Sequence, residues 1–168
     1  MNEKREEAAP TEYLTFFIAG EEYAASILRV REVSEHRQIT RVPTMPPWIR
    51  GVINLHGEVV PVVDLAVKFG FDETEITKWV CFVIFEVEQD GEPAAIGLIA
   101  DSVSQVISLS ETDVTAPPAF GTRIRADYLA GMGRVGERFL LLLNLDRVLS
   151  IDELLEVSTV ESRLRAEA

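Results

Sequence analysis

Turn signals recur along this chain so closely that a long helix has no room between them, and that spacing constrains the fold more than any other feature. Gly20, His56-Gly57, Asp90-Gly91 and Gly136-Glu137 each separate two short runs of apolar, β-branched or aromatic residues. Such runs bounded by turn residues read as strands, and two runs joined by a tight turn read as a hairpin. Residues 13–18 and 23–27 flank the first turn, 52–55 and 58–64 the second, 78–88 and 94–100 the third, 128–135 and 138–145 the fourth. Residues 38–42 and 103–109 are further strand candidates, and residues 28–33 read either as a strand or as one helical turn. Residues 46–50, 65–69 and 152–157 suit short helices, the first because proline is tolerated in a first turn. Pro61 falls inside a strand and cannot donate a ladder hydrogen bond, which predicts an edge strand or a bulge there. No long segment carries a helical period. The expected fold is all-β, a barrel or sandwich, and a doubly wound α/β sheet is excluded for want of helices between strands.

The two halves of the chain echo each other in order. Gly20-Glu21-Glu22-Tyr23-Ala24-Ala25 recurs as Gly91-Glu92-Pro93-Ala94-Ala95, and Val30-x-x-Val33 as Val103-x-x-Val106. Gly51-Val52-Ile53-Asn54 is echoed by Gly131-Met132-Gly133-Arg134, and Gly57-Glu58 by Gly136-Glu137. Two copies suggest a pair of small barrels, split roughly into 11–74 and 75–150 with ends free to interleave. The alternative is that β proteins reuse such patterns. Residues 1–10 and 151–168 are charged and read as tails. Two barrels create a seam, a common place for binding.

Charge narrows the partners. Acids outnumber bases 28 to 16, for a net charge of −12. Binding to nucleic acid requires Lys and Arg to displace counterions, and anionic lipid makes the same demand, so neither is expected. The start of the chain lacks the apolar region of a signal peptide, and no apolar run is long enough to span a bilayer. A cytoplasmic protein is expected.

The search for chemistry is short. The lone Cys81 excludes an internal disulfide and sits in an apolar run, where an inert thiol is expected. His36 and His56 are the only histidines, and no cluster with metal-ligand spacing accompanies them. His36 reads as a solvated loop residue and His56 as a turn-tip residue open to contact. Gly131-Met132-Gly133-Arg134-Val135-Gly136 matches the dinucleotide pattern, with Asp152 at the expected distance. The segment after it, Arg138 to Leu143, reads as a strand, and too little chain remains for the rest of that fold. No catalytic residue, cofactor or metal is expected.

Arg50-Gly51-Val52-Ile53-Asn54-Leu55-His56-Gly57-Glu58-Val59-Val60-Pro61-Val62-Val63-Asp64-Leu65 closely resembles the signature of the CheW family, [KR]-G-x-x-N-L-R-G-x-[IV]-[IV]-P-[IV]-[IV]-D-L. Ile27-Leu28-Arg29-Val30-Arg31-Glu32-Val33 resembles its I-x-x-V-x-E-[IV] element. Gly97-Leu98-Ile99-Ala100-Asp101-Ser102-Val103 resembles the G-[IL]-[IV]-V-D-x-V element, and Tyr128-Leu129-Ala130-Gly131 the late Y-[IL]-x-G element. The likeness runs from about Thr11 to Ser150.

The resemblance implies two five-stranded SH3-like barrels packed together, with short helical turns. It implies a non-catalytic adaptor that joins the cytoplasmic tip of methyl-accepting chemoreceptors to the regulatory domain of a CheA-type histidine kinase, in arrays at the membrane. It marks Val30, Glu32 and Val33 near a receptor groove, Asn54, His56 and Gly57 in the turn beside it, and Gly97, Val103 and Val106 along the seam and its partner face. Each has a plainer reading: the valines as core, the glycines as backbone geometry, Asn54 as a turn-satisfying side chain. The family usually carries Arg where this chain has His56, which exchanges a permanent planar cation for a titratable ring. The alternatives are a paralogue serving surface motility or gene regulation, and an enzyme using the seam as its active site.

Overall fold

The computed structural model describes residues 9–89, 91–117 and 128–148. The first half forms β1 (Thr11–Ile18), β2 (Glu21–Ser26), β3 (Val30–Glu35), β4 (Ile49–Leu55), β5 (Glu58–Val63) and the one-turn helix α1 (Leu65–Lys68). The second forms β6 (Cys81–Gln89), β7 (Glu92–Ala100), β8 (Ser102–Leu109), the two-residue β9 (Val114–Thr115), β10 (Leu129–Val135), β11 (Arg138–Leu143) and α2 (Leu145–Val148). The ambiguity over residues 28–33 resolves into a 3-10 turn at Ile27–Arg29 followed by β3. The expected helix at 152–157, the tail at 151–168 and residues 1–8 of the tail at 1–10 lie outside the described residues.

One sheet runs β8-β1-β2-β11-β10-β9 and the other β3-β6-β7-β5-β4. The chain is all-β in two SH3-like units; the second sheet has the five strands expected, whereas the first has six, counting the two-residue β9. The sheets do not divide at 74/75. Each takes the leading hairpin of one half and the later strands of the other. Val30 of the first half lies opposite Phe85 of the second, while Val103 of the second lies opposite Phe16 of the first. Phe16 pairs with Tyr23 as Phe85 pairs with Ile96, so Val30 and Val103 hold the same place in two exchanged copies of one pattern. The parallel ladders β5–β7 and β11–β2 complete the exchange. The echo in the sequence is therefore a structural repeat, and its halves are interlocked rather than side by side.

The packing follows strand alternation, in which successive side chains face opposite ways. Along β6, Phe82 and Ile84 enter the interior of the second sheet with Ile53, Val60 and Ile99. Val83, Phe85 and Val87 turn instead to a larger core shared with Leu14, Phe16 and Tyr23 of the first sheet and with Leu65 and Leu145 of the two short helices. A strand buried on both faces reads as continuous apolar sequence, which is why residues 79–85 show no polar alternation. The seam between the sheets is accordingly filled by side chains.

Three local expectations are corrected. Residues 38–42 make no strand beyond a single bridge from Thr40 to Val52. Residues 46–50 form a single turn and no helix: the Ile49 amide bonds Pro46 O at 3.0 Å, and the chain then enters β4 at Ile49. Pro61 is not on an edge, since β5 lies between β7 and β4, and the bulge in the β4–β5 pairing falls on β4, between Ile49 and Gly51. The parallel pairing with β7 begins only at Val62, so the missing amide of Pro61 leaves no ladder bond unmade.

Candidate interaction site

The turn joining β4 to β5 is a two-residue hairpin with positive φ at both His56 (53°) and Gly57 (86°). Turns of this hand match the twist of the strands they join. Asn54 Oδ1 accepts from the Gly57 amide at 2.8 Å, so Asn54 does serve the turn. That bond fixes the loop and holds His56 out into solvent. His56 Nε2 lies 3.3 Å from the Glu32 carboxylate, and Arg31 Nη1 lies 3.4 Å from Glu58 Oε1. Both pairs join β3, one edge of the second sheet, to the β4–β5 hairpin at its other edge. The sheet is rolled until its edges meet, and that closure brings Glu32, Asn54, His56 and Gly57 together.

The valines divide by depth. Val30 and Val103 are half-buried and pack on the shared core. Val33 and Val106 are 43% and 49% exposed and occupy matching places on the edge strands β3 and β8. Gly97 is buried within the second sheet, where an added Cβ would lie 3.2 Å from Ile84 Cδ1 and 3.7 Å from Pro61 O. It presents no surface to a partner. Its role is close packing against β5.

Sequence reasoning passed over Leu28, which is 87% exposed. The Ser26 hydroxyl caps its 3-10 turn by accepting from Leu28 N at 3.3 Å, and Arg29 anchors the turn to Glu86 O at 3.2 Å and to Asp146 Oδ1 at 3.1 Å. The braced turn thus holds a large apolar side chain in water. Its place between Ile27 and Val30 in the motif was the available signal.

Behind this surface lies a buried polar cluster. Asp64 accepts from Arg50 Nη1 at 2.9 Å, from the Thr74 amide at 2.9 Å, from the Thr74 hydroxyl at 2.8 Å and from the Ala66 amide at 3.2 Å. Arg50 also donates to Thr74 O at 3.1 Å. With this set of donors around it, the carboxylate caps α1 and clips the following loop. Cys81 is half-buried, and burial pushes its thiol up from the usual range. His36 is exposed and rests against Phe82, with ring centroids 5.6 Å apart. Gly131 and Gly133 are strand residues of β10, so the glycine pattern there is a hairpin and not the start of a helix.

Among the described residues, no group of three or more His, Cys, Asp or Glu side chains is placed to hold a metal ion. No described helix is long and apolar enough to cross a membrane.

Comparison with known proteins agrees with this geometry. The family model of the CheW-like domain matches residues 12–153. The chemotaxis protein CheW of Klebsiella aerogenes is 34% identical over 154 residues, covering 92% of this chain and 90% of that protein. The chemotaxis protein CheW of Treponema pallidum is 28% identical over 147 residues, covering 88% and 86%. The crystal structure of the scaffolding protein TtCheW from Thermoanaerobacter tengcongensis superposes with a TM-score of 0.75 at 28% identity, covering 91% of this chain and 96% of that one. A non-chemotactic or enzymatic role is not favoured by these likenesses. The chain belongs to the CheW family of chemotaxis coupling adaptors.

Proposed function

We propose that this chain joins the regulatory domain of a CheA-type histidine kinase to the cytoplasmic tip of methyl-accepting chemoreceptors, as a scaffold that catalyses nothing itself and is recruited to membrane-associated receptor arrays. The observation that carries this reading is the braced surface where β3 meets the β4–β5 hairpin. Leu28, Val33 and Val106 offer apolar contact at fixed positions, and the Glu32–His56 pair supplies polar register beside Val33. A few anchors buried on binding usually dominate the affinity of a protein interface. Val30 and Val103 pack on the shared core, and Asn54 and Gly57 hold the turn that presents His56. Modest individual contacts suffice where assembly into an array multiplies them.

The test is a pull-down with the cognate kinase and with a receptor cytoplasmic fragment, each alone and then both together. Co-sedimentation of all three supports the coupling role. Binding to neither, or substrate turnover by the purified chain, overturns it. Leu28→Asp should weaken binding at least tenfold while leaving the fold intact, because Leu28 contributes nothing to the core.

A further inference from the structure

Residues 11–68 and 81–148 exchange strands within one chain, and the only covalent link between them is the connector after α1. That connector is clipped to the first half at Thr74, which is buried against Asp64 and Arg50. Beyond the clip, residues 75–79 are exposed and turn back on themselves, with Val80 N bonding Thr77 O at 3.3 Å and Trp79 N bonding Thr77 Oγ1 at 3.1 Å. Two large apolar side chains sit on this short span in water: Ile76, and Trp79 at 65% exposure.

We propose that residues 75–79 are a hinge through which two copies of this chain exchange halves, giving a dimer in which the first half of each completes its sheets with the second half of the other. Every strand pairing of the monomer is reproduced between chains, so the exchange sacrifices no packing. It costs the two Thr77 bonds of the folded-back hinge and the association entropy, which falls as the concentration rises. The two opened connectors run past each other in the dimer, and Ile76 and Trp79 of one meet those of the other. Their exposure in the monomer then has a reason. Such a dimer carries two copies of each docking surface.

The experiment is refolding of the full chain from urea at low and at high protein concentration, followed by size-exclusion chromatography with light scattering. The expected result is a species of twice the 18.7 kDa monomer mass that grows with refolding concentration and persists on later dilution. Exchange is separated from surface association with Glu22 of β2 and Arg138 of β11, an ion pair between the two halves. In a Cys81→Ser background, chains carrying Glu22→Cys and chains carrying Arg138→Cys are refolded together and treated with a short bismaleimide. A covalent heterodimer is expected. A single chain carrying both cysteines serves as the control that the pair is within reach. Ile76→Ser with Trp79→Ser should lower the dimer yield severalfold without changing the monomer. Monomer at every concentration overturns the proposal, as does a dimer that falls apart on dilution or fails to cross-link while the control does.

Discussion

Arg50 and Asp64 form an ion pair shut away from water, with side chains 8% and 0% exposed and Nη1 to Oδ2 at 2.9 Å. The pair sits at the two ends of the sequence motif that resembles the family signature. It holds the β4–β5 hairpin to the connector through Thr74. Breaking a buried pair strands a charge, at a cost of ~3–5 kcal/mol. Asp64→Ala should therefore lower the urea midpoint strongly. Thr74→Val, which removes one hydroxyl bond to a charged acceptor, should cost about 1.5–3 kcal/mol. A change below about 1 kcal/mol for Asp64→Ala would remove the cluster from any structural role.

Gly51, Gly131 and Gly57 should rank in that order when each is changed to alanine. At Gly51 (φ +145°) a Cβ would stand 2.2 Å from Thr40 O, and at Gly131 it would stand 2.7 Å from Thr115 O. At Gly57 (φ +86°) it would meet nothing, leaving only backbone strain. Overpacking costs ~1–3 kcal/mol and a left-handed residue ~1–2 kcal/mol. Gly51 incurs both penalties, Gly131 the first and Gly57 the second. Denaturant titration of the three variants checks the order.

Stability should decline on the alkaline side because of Tyr23. Burial, aided by the charge of Glu21, pushes its phenol from 10.0 up to about 12. Between those values the unfolded chain releases the proton while the folded one keeps it, which favours unfolding. The contribution is complete below about pH 10 and is lost by about pH 12, a change of ~2–3 kcal/mol. Tyr23→Phe should flatten that limb of the pH–stability profile.

His56→Arg should alter affinity for the kinase domain or the receptor fragment more than it alters stability. The Glu32–His56 pair is largely solvated, and such pairs contribute ~0.2–1 kcal/mol to folding. At an interface the substitution supplies a permanent cation with a planar donor fork in place of an imidazole ring. Titration calorimetry against both partners is the measurement. Identical affinities for the two forms would take His56 out of the contact surface.

Much of the local structure is legible in the sequence because it is decided within a few residues. The His56-Gly57 hairpin follows from a glycine that tolerates positive φ, and the strands of the echo follow from alternation and turn spacing. The misreadings are also local in origin. The missing amide of Pro61 points to an edge until it is known that β7 begins to pair one residue later. Gly97 fits a partner face until Ile84 and Pro61 are seen to close over it, and nothing near it in the sequence shows that they do.

By itself the sequence determined the class of fold, the order of strands and turns, and the kinship carried by residues 50–65. The tertiary structure alone decided that Val30 meets Phe85 while Val103 meets Phe16, that the seam is core, that Glu32 reaches His56 and that Leu28 stands in water. Backbone preference and side-chain alternation act over neighbouring residues and so can be read in a line. Pairing between segments far apart in the chain is chosen by how two apolar faces fill space together, and that choice is written in no single segment.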